Sequence, residues 1–133
     1  MAIPAGIWLS NYSIFSAPRR KQVKITGMKA MQLDFQGDGC LIKIETDAGF
    51  IGYGEAGVSS KVARAYLLEK GFFTGEDPLE IGRLFYQMTA PQHPILGPIG
   101  LISGIDIALW DLAGKILDQP VYKLLGGPFR DGC

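Results

Sequence analysis

Three charged side chains lie in one of the most apolar segments of the chain. Residues 102–118 read ISGIDIALWDLAGKILD and include Asp106, Asp111 and Lys115. Two carboxylates near an amine could act as general acid and base. The spacing argues against one shared site, because five residues of helix leave Asp106 and Asp111 about 140° apart around its axis at about 100° per residue.

The same spacing favours a structural role for these charges. Asp111 and Lys115 are at positions i and i+4 with the acid first, the favourable order on a helix. Asp106 falls in the first turn of a helix that we predict from Ile102, where the helix dipole favours a carboxylate. The stripe that the helix should bury consists of Ile102, Ile105, Leu109, Leu112 and Ile116, and Ile107 and Trp110 extend its apolar surface to other sides. We therefore interpret the three charged residues as fixing a buried helix.

Other candidate chemistry is sparse. Glu55 stands in GYGEAG after an apolar run, where a ligand could approach the backbone, although such a residue can equally be solvated or capping. GYGEAG is not the G-x-G-x-x-G fingerprint of dinucleotide sites, and LLGGPFRDG lacks the Gly-Lys-Ser/Thr of a P-loop. With His93 as the single histidine, neither a zinc site nor a Ser-His-Asp triad has a supporting pattern. We assign no catalytic residue and no metal ligand.

Composition excludes several classes of partner. The 133 residues predict one domain, and Lys+Arg and Asp+Glu balance at 13 each, which argues against nucleic acid or an anionic membrane as a partner. No apolar run reaches the roughly 18 residues that span a bilayer. Two cysteines, one of them the last residue, are a poor basis for a disulfide framework and favour the reducing cytoplasm. Residues 1–22 predict an irregular arm.

The first half of the chain predicts strands. Residues 23–35 alternate, with one face formed by Val23, Ile25, Met31, Leu33 and Phe35. A tight turn should follow at residues 36–39, then a strand, CLIKIET, and a second turn in which Gly49 suits a left-handed backbone. FIGYGEAG gives the third strand. These segments predict an antiparallel meander that buries one face.

Helices should cover that sheet. Ser59 can cap a helix that runs through Glu69. Asp77, Pro78 and Glu80 together form a start signal for a second helix, with Asp77 as the N-cap and Pro78 at the first helical position. Its buried stripe would be Ile81, Leu84, Phe85 and Met88. Strands followed by helices predict an α+β fold, a three-stranded antiparallel meander followed by a helical bundle.

Several segments of the chain together resemble the motifs of a known family. GIDIALWDLAGKILDQPVYKLLGG closely resembles the signature of the mandelate racemase/muconate lactonizing enzyme family of the enolase superfamily. The matching residues are Asp106, Ala108, Asp111, Gly114, Lys115, Pro120, Val121, Leu124, Leu125 and Gly126. Leu101 departs from the pattern, which usually has Ala there. LIKIETDAGFIGYGEAG and TGEDPLEIGRLFYQM resemble two further motifs in the family's order, so the resemblance covers about residues 23–131.

The resemblance implies an N-terminal capping domain that closes the mouth of a (β/α)-barrel. The family's Lys or His base and its acidic Mg²⁺ ligands lie on barrel strands beyond this chain, so Mg²⁺ is implied only for a full-length parent. Substrate specificity would reside in two loops, which comprise Gln36, Gly37, Asp38 and Gly39, and Glu55, Ala56, Gly57 and Val58. The short first loop resembles that of the family's sugar-acid dehydratases.

These inferences define our expectations. Residues 1–22 form an N-terminal arm or upstream extension, 23–131 the capping domain and 132–133 the truncated start of a linker to a missing barrel. The parent would abstract a proton α to a carboxylate, with a sugar acid or another small carboxylate as substrate, as a dehydratase or alternatively a racemase or cycloisomerase. The chain alone would be inactive. In the full-length protein, this domain would pack on its own barrel domain, and the protein would form a homo-oligomer. A free-standing, noncatalytic interaction domain is the rival interpretation.

Overall fold

A computed structural model describes residues 23–33, 39–70, 73–90, 98–128 and 130. The strands are β1 (Ile25–Gln32), β2 (Cys40–Thr46) and β3 (Ile51–Ala56), and the helices are α1 (Ser60–Lys70), α2 (Ile81–Thr89), α3 (Ile99–Leu117) and α4 (Val121–Leu124). The predicted arm at 1–22, the turn residues Gln36, Gly37 and Asp38, and residues 132–133 lie outside the described residues.

The strands form one antiparallel sheet in the order β1-β2-β3. The central strand follows its predicted alternation, and Cys40, Ile42 and Ile44 are buried on the side that faces the helices. Gly49 links β2 to β3 with a φ of 80°, as the sequence predicts. The α+β architecture of a meander followed by helices is therefore confirmed.

The predicted face of β1 is wrong after its first residues. Ile25 pairs with Thr46, but Gly27 already pairs with Glu45, so the register shifts between them. One extra residue at such a bulge reverses which side chains point inward. Ile25 and Ala30 are consequently the buried residues of β1, whereas Met31 points to the opposite side from Ala30. Strict alternation from Val23 would also place Lys29 on the apolar face. The register shift instead puts the Lys29 side chain on the exposed side.

The second helix begins later than predicted. Asp77 does accept a hydrogen bond through Oδ1 from the Leu79 N–H at 2.8 Å, but this closes a separate turn at residues 78–79, and α2 begins at Ile81. Ile81, Leu84 and Met88 are buried, whereas Phe85 is 43% exposed. The stripe of α2 is therefore narrower than its sequence suggests. Ser59 does cap α1, since its Oγ accepts from the Val62 N–H at 3.5 Å.

The longest helix, α3, packs along β3. All five residues of its predicted stripe are buried, but Ile107 is 51% exposed, so the helix has one open side that the sequence analysis did not predict. Close packing depends on glycine, because a Cβ on Gly54 would lie 2.7 Å from the Ala108 N and closer still to the Gly104 O. The helix backbone therefore lies directly on the strand.

Candidate functional site

The second predicted specificity loop lies at the junction of β3 and α1. Glu55 and Ala56 are the last residues of β3, and only residues 57–59 connect them to α1. Glu55 and Gly57 are exposed and Val58 is half-buried. Ala56 is fully buried, so its side chain is not accessible to a ligand. The accessible part is Glu55, Gly57 and Val58.

The N-terminal half of α3 supports this junction. A Cβ on Gly104 would lie 2.6 Å from the Ala56 Cβ, and a Cβ on Gly100 would lie 3.2 Å from the Gly57 O. Both glycines therefore let the helix approach the end of β3 more closely than a larger residue would allow. The Glu55 side chain and the Gly57 backbone are thus carried by a strand end that rests on a long helix, which is a rigid base for recognition.

Gln32, which the sequence analysis did not single out, connects this junction to the other predicted loop. Its Oε1 accepts a hydrogen bond from the Ser60 N–H at 3.3 Å, and its Nε2 donates to the Gly39 O at 3.2 Å. Gly39 is the described member of the first loop. The alternation in the sequence places residue 32 on the solvent side of β1. The bulge in β1 turns the Gln32 side chain to the side that the helices cover, so the sequence pattern does not predict its contacts.

Asp111 and Lys115 bind the backbone of β3. The Asp111 Oδ2 accepts from the Tyr53 N–H at 2.8 Å, and the Lys115 Nζ donates to the Ile51 O at 2.8 Å. The two side chains also pair with each other at 2.6 Å. We call these two residues the edge clamp. They hold α3 against the strand that carries Glu55 near its end.

Asp106 lies apart from the edge clamp. Because α3 begins at Ile99, Asp106 is in its second to third turn and not in the first, so the predicted dipole contact is wrong. Burial raises the pKa of the Asp106 carboxyl, and a hydrogen bond with the Trp110 side chain opposes that shift. Asp106 and Asp111 nevertheless both line one cavity, beside Trp110 and Val121.

The described part of the chain offers little chemistry for a reaction of its own. Within it, no group of three or more His, Cys, Asp or Glu side chains could hold a metal ion. Mg²⁺ needs several oxygen ligands in a near-octahedral arrangement, so the described residues do not fit that ion. Glu55 contributes one exposed carboxylate, which suits hydrogen bonding to a polar ligand.

Comparison with known proteins identifies the family. Residues 25–126 match the model of the mandelate racemase/muconate lactonizing enzyme N-terminal domain. The chain belongs to this family. The expected resemblance and its fold, three antiparallel strands followed by helices, are therefore confirmed. All described residues from Ile25 to Gly126 therefore belong to the N-terminal domain of this family.

Curated relatives of this family member are dehydratases. The chain is 38% identical over 115 residues to a D-xylonate dehydratase from Haloferax volcanii, a match that covers 84% of the chain and 28% of that relative. It is 41% identical over 95 residues to a D-galactonate dehydratase from Cronobacter sakazakii, covering 68% of the chain and 25% of that relative. The chain thus spans between a quarter and a third of the relatives' length.

Solved structures of the family show the same fold. One neighbour is an enolase-superfamily protein from Agrobacterium radiobacter described as a putative galactarate dehydratase, with a TM-score of 0.71, 34% identity, and coverage of 81% of this chain and 29% of that one. Another, from Paracoccus denitrificans, is complexed with magnesium and has a TM-score of 0.66 at 34% identity, covering 81% of this chain and 31% of its own. No helix among the described residues is long and apolar enough to cross a bilayer.

Proposed function

We propose that the chain is the specificity-determining capping domain of a sugar-acid dehydratase. The observation that carries this proposal is the identity of 38% and 41% to a D-xylonate and a D-galactonate dehydratase. The geometry is consistent with it, since the junction of β3 and α1 presents Glu55 and Gly57 on a rigid base. Glu55 would accept hydrogen bonds from substrate hydroxyls, and the small Gly57 would leave room for them.

The reaction itself would occur on a barrel domain that this chain does not include. That domain would supply the base that removes the proton α to the carboxylate and the ligands of Mg²⁺, which stabilises the enediolate when bound. The capping domain would exclude water and select the substrate. We place the complete protein in the cytoplasm, since Cys40 is a free, buried thiol in keeping with a reducing compartment.

Exposed apolar side chains on the open side of α3 are consistent with another domain covering this surface. Ile107 is 51% and Leu125 62% exposed. They line a largely apolar cavity of about 340 Å³ together with Trp110, Val121 and the two acidic residues Asp106 and Asp111. An apolar surface of this kind usually marks an interaction site. We propose that the barrel covers it in the complete protein, and that the isolated chain dimerises or aggregates through it. A clean monomer at high concentration in sedimentation would argue against this association.

The coding sequence past Cys133 provides the decisive test. A Lys-x-Lys strand followed by spaced Asp, Glu and Glu codons would support the enzyme. The purified 133-residue chain should then show no Mg²⁺-dependent dehydration of D-xylonate, D-galactonate or galactarate, whereas the complete protein should dehydrate at least one of them. Turnover by the chain alone, or none by the complete protein, would contradict the proposal.

Two alternative functions give different results in the same experiments. A racemase or cycloisomerase would exchange the α proton for solvent deuterium without loss of water, which mass spectrometry of the product distinguishes from dehydration. A free-standing interaction domain would have a stop codon directly after Cys133. The open apolar side of α3 would then bind a partner protein instead of a barrel.

A further inference from the structure

The Gln32 amide bonds to three backbone groups. One is local, the Leu33 O at 3.4 Å, and the other two belong to different segments. Ser60 is the first residue of α1, and the first N–H groups of a helix have no partner within it. The Ser60 N–H finds its acceptor in the Gln32 Oε1, 28 residues away in sequence. The other end of the same amide donates to the Gly39 O, directly before β2.

The position of Gln32 follows from the register of the sheet. Gln32 pairs with Cys40, whose side chain is buried on the face that the helices cover. Directly opposed residues of an antiparallel pair point to the same face, so the Gln32 side chain projects toward α1. Its amide stands at the end of β1, between the chain entering β2 and the chain entering α1.

A second side chain joins the same two elements but does not reach Gly39. The Arg64 Nε donates to the Ala30 O at 3.0 Å, which ties the second turn of α1 to β1. Arg64 therefore ties the helix to β1, while the Gln32 amide bonds both to the start of α1 and to the residue before β2. This difference makes Arg64 a useful comparison.

We propose that Gln32 is a positioning residue that couples the backbone at Gly39, directly before β2, to the backbone at Ser60, where the second predicted specificity loop meets α1. A displacement at one of these two points is transmitted to the other because both hydrogen bonds belong to one planar amide. The consequence for substrate selection rests on the proposed function, whereas the coupling does not.

Amide exchange on the 133-residue chain tests the first half of the proposal. In Gln32→Met both hydrogen bonds are lost, and the Ser60 N–H should exchange about 2- to 10-fold faster, as expected for one net hydrogen bond. Gln32→Glu keeps the acceptor for Ser60 but not the donor for Gly39. It should retain the slow exchange of Ser60 and shift the Gly39 carbonyl carbon as far as Gln32→Met does.

Two controls isolate the role of Gln32. Gln87→Met replaces an exposed glutamine on α2 and should leave Ser60 and Gly39 unchanged. Arg64→Met removes the bond to the Ala30 O but keeps the Gln32 amide, so it should not reproduce the loss of Ser60 protection that Gln32→Met causes. Ser60 exchange unchanged in Gln32→Met, or a Gly39 signal in Gln32→Glu identical to the parent, would overturn the proposal.

Coupling itself is measured by a perturbation at the second loop. A methyl group in Gly57→Ala would have no atom within 4 Å apart from its chain neighbours, so the fold should tolerate it. The perturbation comes from the backbone of residue 57, which loses the conformational freedom of glycine. The substitution should shift the Gly39 signals in the parent chain but not in Gln32→Met. An equal shift in both backgrounds would show that the loops communicate by another route.

The effect on selectivity is tested separately in the complete protein. Gln32→Met should raise KM for the sugar acid several-fold while kcat changes less, and Gln32→Glu should recover part of the loss. If the complete protein has no dehydratase activity, the proposed function fails while the exchange experiment still decides the coupling. If the coupling is found but KM does not change, the role of Gln32 in selectivity is wrong.

Discussion

The carboxylate of Asp111 accepts a hydrogen bond from the backbone N–H of Tyr53, 58 residues earlier in the chain, at 2.8 Å. The Thr46 N–H donates to the Phe50 O. The backbone N–H and C=O groups of the even-numbered residues of β3 therefore point toward β2, and those of the odd-numbered residues point away from it. Ile51 and Tyr53 are thus on the free edge of the sheet. The edge clamp satisfies a donor and an acceptor there, as a neighbouring strand would.

Loss of the clamp's carboxylate should destabilise the fold. Asp111→Ala leaves the Tyr53 N–H without its acceptor and should lower the free energy of unfolding by about 1–2 kcal/mol. Asp111→Asn retains an acceptor and loses only the half-exposed ion pair with Lys115, so its cost should stay below about 1 kcal/mol. Urea denaturation measures both, with Lys61→Ala on the exposed face of α1 as the control. Equal losses in Ala and Asn would show that the backbone hydrogen bond contributes nothing.

A methyl group at Gly54 should be far more damaging than one at Gly82. At Gly54 a Cβ would lie 2.7 Å from the Ala108 N, and since backbone atoms cannot move aside cheaply, Gly54→Ala should cost about 3 kcal/mol or prevent folding. Gly82 is exposed on α2. A Cβ at Gly82 would have no atom within 4 Å outside the backbone of its own helix and its chain neighbours. Gly82→Ala should stabilise by about 0.5–1 kcal/mol. Thermal unfolding compares the two, and a mild effect at Gly54 would contradict the close packing of α3 on β3.

Asp118 ends α3 in a left-handed conformation with a φ of 53°. That region is unfavourable for residues with a Cβ and free for glycine. Asp118→Gly should therefore raise the free energy of unfolding by about 0.5–1 kcal/mol. Asp118→Ala is the matched control and should not stabilise, because it keeps the Cβ. The Gln119 N–H bond to the Gly114 O at 2.9 Å should survive in the glycine variant, which amide exchange at Gln119 would verify.

Asp106 should make stability depend on pH. Burial raises the pKa of its carboxyl in the folded state, so as pH rises through the usual carboxyl range the unfolded chain loses this proton first and the free energy of unfolding falls. The fall ends once the folded carboxyl has also ionised. Asp106→Asn removes this contribution, so its stability relative to the parent should increase from about pH 3 to about pH 7.

Hydrogen bonds from Lys43 and Lys29 lower the pKa of Glu45, which makes stability fall as pH falls through the pKa of that group. This opposite dependence is common to the parent and Asp106→Asn and cancels in their difference. Urea denaturation across the pH range measures the difference. A constant difference would mean that Asp106 has the same pKa in both states.

Local patterns predicted the parts of the fold that local physics controls. The alternation of Cys40, Ile42 and Ile44 and the stripe of α3 from Ile102 to Ile116 match the observed burial. Both elements bury one continuous face, so their periodicity reports it directly. The bulge in β1 interrupts this relation, because nothing in the letters VKITGMKAMQLDF marks the residue at which the register shifts.

The long-range contacts of the candidate site were not predictable from local patterns. Asp111 and Lys115 were recognised as an i,i+4 pair, but their bonds to Tyr53 and Ile51 depend on how α3 lies on the sheet. Gln32 carried no local signal because its partners beyond Leu33 are Gly39 and Ser60, and both are backbone groups. Side chains that bind distant backbone become visible only when the chain is folded.

The edge clamp also determines which substitutions the two elements can accept. It contacts the N–H and C=O groups of β3, and these are present whatever side chain residues 51 and 53 carry. The Lys115 Nζ also lies 5.3 Å from the centroid of the Tyr53 ring, so the outward side chain that can diverge between proteins that act on different ligands is that of Glu55, while the helix must retain its acid and its amine. A recognisable motif is thus concentrated on α3, and the strand beside it is left free to change its chemistry.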